Sequence, residues 1–325
     1  MLPRARKSRS LTVLALAAGF AVAGCEANLG KANFPRSTGP AASAGSAAPV
    51  DTKAYDSAVL RLIDPCSLID KNALSAFGAP DDPSVSSTTF EECRNSVKDP
   101  GGKAVKISVQ VGDLVLGVDS KSTGTIEGLP QVEDKTDDTY CTVSAVTSTK
   151  PANVGISFEI TYVGGDPCQV GRSLLAPTLK KIRETPVKYP AAKGSLLALD
   201  PCAIADDATV NSLAPSAKAS PVTLHDCQWT GNPVGLTVAF HKGQPPIEGD
   251  GYSKVDLDGV TGFQKLTSTT SAECTVEWQQ RPWQDDQVEI SRVTYSNRDA
   301  NKATDDPCGK AAKLAKNVVA KLPKA

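Results

Sequence analysis

Asp64-Pro65-Cys66, Asp166-Pro167-Cys168, Asp200-Pro201-Cys202 and Asp306-Pro307-Cys308 are four copies of one triplet in a chain of 325 residues. Each reads as the start of a helix. A residue before proline is held out of the α region, as an N-cap must be, and an Asp carboxylate there can accept bonds from the free amides of the first turn. Proline at the first helical position has no N–H to leave unsatisfied, and its fixed φ suits the helix. The cysteine then falls in the first turn, where it can cross-link the helix to a neighbouring strand. The triplets are anchors of architecture.

Around them the chain repeats once. The first unit runs from 59 to 187 and the second from 194 to 325, joined by a connector from Glu184 to Gly194 that carries Pro186 and Pro190. The cysteines keep step: Cys66, Cys93, Cys141 and Cys168 against Cys202, Cys227, Cys274 and Cys308, at intervals of 27, 48, 27 and of 25, 47, 34. An internal duplication explains this order.

Within each unit the same elements follow one another. After the triplet, Asp70 or Asp206 can cap a second helix, Lys71–Phe77 or Asp207–Leu213, closed by Gly78 or Pro215. Alternating strands come next: Val105, Ile107, Val109 and Val111 share one face, as do Leu236, Val238 and Phe240. A strand with the third cysteine follows (Cys141, Val143, Ala145; Cys274, Val276, Trp278), then another through Val154, Ile156, Phe158, Ile160 and Tyr162. The fourth cysteine opens a closing helix, whose second copy shows one face at Ala311, Leu314, Val318 and Leu322. Pro177 should kink or shorten the first copy. Strands grouped between helices predict an α+β fold: two tandem units, each an antiparallel sheet with helices at its start and end packed on one face and stapled by disulfides.

The address is at the N-terminus. Arg4, Arg6, Lys7 and Arg9 precede an apolar run from Leu11 to Gly24, too short to span a bilayer, which closes at Val22-Ala23-Gly24-Cys25. This tetrapeptide looks like a bacterial lipobox, in which residues 1–24 are a lipoprotein signal peptide and Cys25 is lipidated. Residues 25–57, rich in Gly, Ala, Ser and Pro, read as a flexible tether. Removing residues 1–24 leaves 31 cationic side chains against 36 acidic ones, a net charge of −5 that argues against nucleic acid as a partner.

Setting Cys25 aside leaves eight cysteines, an even number in an oxidising compartment, which supports disulfides. A zinc site would need close pairs such as C-x-x-C, and no two cysteines lie nearer than 25 residues. Four cysteines in a unit allow three pairings. The expected set is Cys66–Cys93, Cys141–Cys168, Cys202–Cys227 and Cys274–Cys308, each joining a helix start to the strand nearest in sequence. The rival joins first to third and second to fourth.

The lipobox, the low-complexity tether, Leu62-x-Asp64-Pro65-Cys66-x-Leu68 at one end and Asp306-Pro307-Cys308 with an Ala/Lys helix ending Leu322-Pro323 at the other resemble an actinobacterial family of cell-envelope lipoproteins, a domain of unknown function. The resemblance covers 59–325 and implies a membrane address without an activity. The tandem and the sparse aromatics of the first unit depart from it.

Catalytic signatures are absent. There is no G-x-S-x-G elbow, and the two histidines, His225 and His241, both lie in the second unit, His241 on a strand position expected to point outward. Asp256-Leu257-Asp258-Gly259 lacks the third carboxylate and closing Glu of a calcium loop and reads as a turn. The lysines of the last helix read as a solvated face. Trp229 and Trp278 share a strand face with Cys227 and Cys274 and are expected in the core over the disulfides; Trp283 stands in a polar loop, as a contact residue or as cover for the sheet edge. The first unit has Asn95 and Ala145 where the second has those two tryptophans. Either Phe90 and Phe158 fill that space, or an apolar cavity beside Asn95, Ala145 and Phe158 could take a lipid-like molecule.

These readings point to a lipid-anchored, non-enzymatic binding or scaffolding module on the outer face of the cell membrane, held to it through Cys25, needing no cofactor and binding an apolar or other envelope ligand. The alternative is a hydrolase or transferase of envelope components with an unrecognised site. Buried polar residues with perturbed pKa in one cleft would favour the enzyme.

Overall fold

The structure is a computed structural model that describes residues 52–69, 71–82, 87, 89–267, 271–299 and 304–324. Cys25, the signal peptide, the tether up to residue 51 and Asp70 lie outside the described residues.

Two seven-stranded antiparallel sheets carry the fold. The first contains β1 (Ala79–Asp82), β2 (Glu92–Lys98), β3 (Ala104–Leu114), β4 (Ser122–Ile126), β5 (Leu129–Asp137), β6 (Tyr140–Ser148) and β7 (Val154–Tyr162). The second contains β8 (Lys218–Pro221), β9 (Asp226–Thr230), β10 (Val234–Gly243), β11 (Ser253–Asp256), β12 (Thr261–Leu266), β13 (Ala272–Pro282) and β14 (Val288–Asn297). The strand orders are β1-β2-β3-β7-β6-β5-β4 and, read the same way, β8-β9-β10-β14-β13-β12-β11. One topology occurs twice, as a duplicated chain requires. The α+β class with two tandem, disulfide-stapled units is what the sequence predicts.

The Asp-Pro-Cys triplets open helical segments at Pro65–Ser67, Pro167–Glu184, Pro201–Ile204 and Pro307–Val319. Asp64, Asp166 and Asp200 each accept from the amide of their own cysteine at 2.9 Å. Asp306 instead accepts from Gly309 at 2.9 Å. A side chain at Gly309 would collide with the Asp306 carboxylate, so glycine lets that cap fold inward. The disulfides are Cys66–Cys93, Cys141–Cys168, Cys202–Cys227 and Cys274–Cys308, the nearest-strand set. Formed disulfides belong to an oxidising, extracytoplasmic compartment. No helix among the described residues is long and apolar enough to cross a membrane.

Each sheet has one face under a helix and one free of it. The helix Pro167–Glu184 packs on β6 and β7, and Pro307–Val319 on β12, β13 and β14. The first runs through Pro177 without stopping there. Val170, Leu174, Leu175, Leu179 and Ile182 form a buried stripe along it, and this packing holds the helix together across the one missing hydrogen bond. The lysines of the second helix lie on a solvent-accessible face, as expected, and bond across it: Lys310 to Asp305, Lys313 to Ser212 and Lys316 to Asp258. The Asp258 carboxylate sits in the turn between β11 and β12, where Gly259 donates to Asp256, so Asp256–Gly259 is a hairpin turn.

Of the two phenylalanines expected to fill the first unit's core, Phe158 does so and Phe90 does not. Ala145 and Phe158 are fully buried. Tyr55, in the stretch the composition assigns to the tether, is buried too, on a turn (Thr52–Tyr55) packed against β6 and the helix Pro167–Glu184. Its hydroxyl donates to the Leu179 carbonyl at 3.0 Å. Gly171 brings that helix down onto the sheet: a Cβ there would lie 2.7 Å from Val143. Tyr55 thus adds a large buried ring to the first core, as Trp229 and Trp278 do to the second. Asn95, half-buried, points its amide at Cys93 Sγ, 3.8 Å away. Phe90 belongs to the other core altogether.

Candidate functional site

The two units meet through residues at equivalent positions. Phe90-Glu91-Glu92 precedes Cys93 as Leu224-His225-Asp226 precedes Cys227. Phe90, from the first unit, is buried in the second core, edge-on to Trp283 at 5.5 Å and tilted over His225 at 5.0 Å. Leu224, from the second, is buried in the first core. It sits on Gly112, whose φ of +83° and contact with Leu224 leave no room for a Cβ. Between these crossed anchors, Glu91 Oε1 lies 2.7 Å from His225 Nδ1 and accepts from the His225 amide at 2.9 Å and the Thr223 hydroxyl at 3.0 Å. The second ring nitrogen, Nε2, is 2.8 Å from the Leu197 carbonyl. Each ring nitrogen thus faces an oxygen, Nδ1 the Glu91 carboxylate and Nε2 the Leu197 carbonyl. Burial pushes the Glu91 carboxyl up, but the charge and hydrogen bond of His225 outweigh it and hold Glu91 below its ordinary range.

Trp283 joins this junction instead of standing free. Its ring is edge-on to Tyr189 at 5.4 Å, and the Tyr189 hydroxyl donates to the Phe90 carbonyl at 2.9 Å. Lys242 Nζ lies 5.7 Å from both ring centroids, a cation–π contact for a lysine only 8% exposed.

Beside the junction, between the helix-free faces of the sheets, is a cleft of about 620 Å³. The first unit lines it with Glu91, Glu92, Arg94 and Gln110, and the second with Thr223, Asp226, Ala239, His241, Gly243, Glu277 and Arg292. Strand register sets the second wall. Asp226 pairs with Ala239, Ala239 with Arg292, and Arg292 with Glu277, so these four form one row across β9, β10, β14 and β13. His241 stands two residues along β10 from Ala239 and so shares its face, outward as predicted. The small Ala239 leaves the middle of the wall low.

Most charges in the cleft are matched. Arg94 Nε donates to Glu92 Oε1 at 2.6 Å, with Ser108 donating to the same oxygen at 2.9 Å. Arg292 Nε donates to Glu277. Among the described residues three buried side-chain atoms have no partner, Asp226 Oδ1 and His241 Nδ1 in residues lining the cleft and Ser291 Oγ outside it. Burial, with the Glu91 charge added, pushes the Asp226 carboxyl up to about 6, against the pull of Arg292. Burial, with Arg292 added, pushes His241 down to about 4. A buried polar atom without a partner costs stability, so it persists in a fold for a reason.

Of the residues the sequence singles out for a ligand, Ala145 and Phe158 lie in the first core, Asn95 lines a pocket of about 320 Å³ on the first sheet with Arg94, Lys106, Tyr140 and Glu159, and Trp283 lines one of about 360 Å³ beside the junction. None of them lines this cleft. The missed residues carried a faint signal: in both units an acid stands directly before the strand cysteine, and the residues before those, Glu91 and His225, are complementary in charge.

No protein-family model matches the chain, and no curated protein matches it. Among solved structures, MucB in complex with MucA(peri) is 11% identical, covering 72% of this chain and 88% of that one with a TM-score of 0.13. The MucA/MucB complex of Pseudomonas aeruginosa scores 0.14 at 11% identity over the same shares of the two chains. The di-domain ARO/CYC BexL is 10% identical over 74% of this chain and 88% of that one, at 0.15. Scores this low do not mark a shared fold.

Proposed function

We propose that this is a lipid-anchored, non-enzymatic binding module of the cell envelope that takes a polar ligand in the cleft between its units. The observation that carries the reading is the pair of unmatched buried atoms, Asp226 Oδ1 and His241 Nδ1, in side chains that line the cleft. Both atoms are closed to solvent in this conformation, so a ligand in the cleft would bond them only after the two side chains turn toward it, and would then repay their desolvation. The envelope address rests on Val22-Ala23-Gly24-Cys25, on the resemblance to actinobacterial lipoproteins, and on the formed disulfides. The test is native mass spectrometry of protein drawn from its own membrane, beside Ala239→Trp, which plugs the cleft from its wall. A small molecule on the unaltered protein and none on the variant is expected. Equal loading of both would move the ligand elsewhere. Cys25→Ala should release the protein from membranes, and unchanged detergent partitioning would remove the anchor.

An enzyme is the second reading, and the criterion set by the sequence favours it: Asp226 and His241 are largely buried polar side chains with shifted pKa in one cleft, and an Asp226 carboxyl near 6 could give and take a proton close to neutral pH. Against it, neither histidine ring is hydrogen-bonded to a serine or cysteine among the described residues. Turnover of an envelope glycan or ester that Asp226→Asn abolishes would establish the enzyme.

A further inference from the structure

Lys242 is a buried cation without a bonded counter-charge. It stands two residues beyond Phe240 on β10, so alternation sends its side chain to the face opposite His241, between Tyr189 and Trp283. Only 8% of it is exposed. A ring face attracts an ammonium without accepting a conventional hydrogen bond from it. Among the described residues Lys242 makes no side-chain hydrogen bond and no ion pair, and its Nζ is not one of the atoms closed to solvent. Arg61 and Arg281, also withdrawn from solvent, are by contrast paired with Asp200 and Glu289.

The side chain lines the pocket beside the junction, whose volume of about 360 Å³ is that of a small-molecule site. The acids already near it do not suffice. Asp64 lines the same pocket with Oδ1 on the Cys66 amide. Burial outweighs the pull of the Asp64 and Glu91 charges and holds the Lys242 ammonium below its ordinary range. Asp285 lines the pocket too, but it is exposed, where water and salt screen its charge. Gln244, Gln284 and Gln287 complete the lining, and a carboxamide NH₂ can donate to an oxygen that the ammonium does not reach.

We infer that this pocket is a second ligand site, separate from the cleft, which takes a singly charged carboxylate with an oxygen on Lys242 Nζ. A buried cation is tolerated when it is both paired and hydrogen-bonded, and a carboxylate supplies the two together. Phosphate fits less well. Its second charge would meet Asp64 and Asp285 with one lysine to offset them, and no arginine lines the pocket. A free organic acid and a peptide C-terminus present the same group.

The experiment is titration calorimetry of the full folded chain with acetate, benzoate and N-acetylalanine, beside N-acetylalanine amide and inorganic phosphate. A carboxylate should bind saturably, and Lys242→Met, which keeps the length of the stem, should weaken it by about ten-fold or more. The amide has the shape of N-acetylalanine without its charge and should be weaker by the same order; this comparison uses the unaltered protein, so it holds even where the variant fails to fold. Benzoate or acetate binding alone assigns a free acid, and N-acetylalanine binding alone a chain terminus. Ala239→Trp, which fills the cleft, should leave the carboxylate bound, so the two sites fail separately. Phosphate binding that Lys242→Met removes, with every carboxylate inert, would overturn the carboxylate. No saturable binding, an amide that binds as well as its acid, or binding that survives Lys242→Met would overturn the site.

Discussion

Phe90 and Leu224 stand at equivalent positions, each three residues before the strand cysteine of its own unit, and each is buried in the core of the other. The exchange makes the stability of either half depend on a residue from its sibling. Phe90→Ala should cost about 3–5 kcal/mol and Leu224→Ala about 2–5 kcal/mol, the usual price of emptying a core position. The informative readout is where the loss appears. Hydrogen exchange should show Phe90→Ala loosening β9 and β13 of the second unit; a loss confined to the first unit would deny the exchange.

The Glu91–His225 pair sits between those two anchors and is closed to solvent. Removing one member leaves the other buried and uncompensated, so Glu91→Gln should destabilise by roughly 3–5 kcal/mol. The pH dependence has a definite sign. A carboxyl held below its ordinary range contributes stability that is present above the unfolded pKa and lost as pH falls through the lower folded value. Glu91→Gln should therefore flatten the acid limb of a stability–pH curve. An acid limb as steep as before would show that other carboxylates set it.

The disulfides join segments 25 to 34 residues apart. Loop closure of that size is worth about 3–4 kcal/mol in the entropic model. Replacing both Cys66 and Cys93 by alanine should lower stability by that order. Non-reducing peptide mapping of the unaltered protein should return the nearest-strand pairs, and a Cys66–Cys141 peptide would refute them.

How much of this was legible follows from the kind of information each feature needs. Asp-Pro-Cys announces a capped helix through local backbone chemistry, and Val105–Val111 announces a strand through alternation, so both can be read without knowing the neighbours. The pairing of Cys66 with Cys93 needs only proximity along the chain. Phe90 and Leu224 are legible as buried, but nothing local says whose core they enter. Tyr55 follows the same rule: a lone aromatic in a Ser- and Ala-rich stretch gives no period, and its place is set by space left open in a distant sheet. The cleft was the least legible, because Asp226 and His241 become a site only when two faces meet.

That meeting gives the two residues opposed pH responses. Asp226 has a folded pKa of about 6 against 3.8 for the free group, so the folded state holds its proton more tightly. Stability from this residue is fullest below the unfolded value and is lost as pH rises through the folded one. His241 has a folded pKa of about 4 against 6.5, so the unfolded state takes up the proton first. Its stability is full above the unfolded value and is lost as pH falls toward the folded one. The charges named with them, Glu91 and Arg292, act on both. Between about pH 4 and pH 6 the two slopes have opposite sign and nearly cancel in the unaltered protein. Single substitutions should unmask them, each on the order of 3 kcal/mol. Asp226→Asn should match the unaltered protein near pH 4 and exceed it at pH 7.5, because it removes the cost of a buried carboxylate. His241→Gln should match near pH 7.5 and exceed it near pH 4, because it removes the cost of a neutral buried imidazole that wants a proton. Urea midpoints across that range measure both, and curves that stay parallel to the unaltered protein would show that neither group is held in the cleft as the geometry has it.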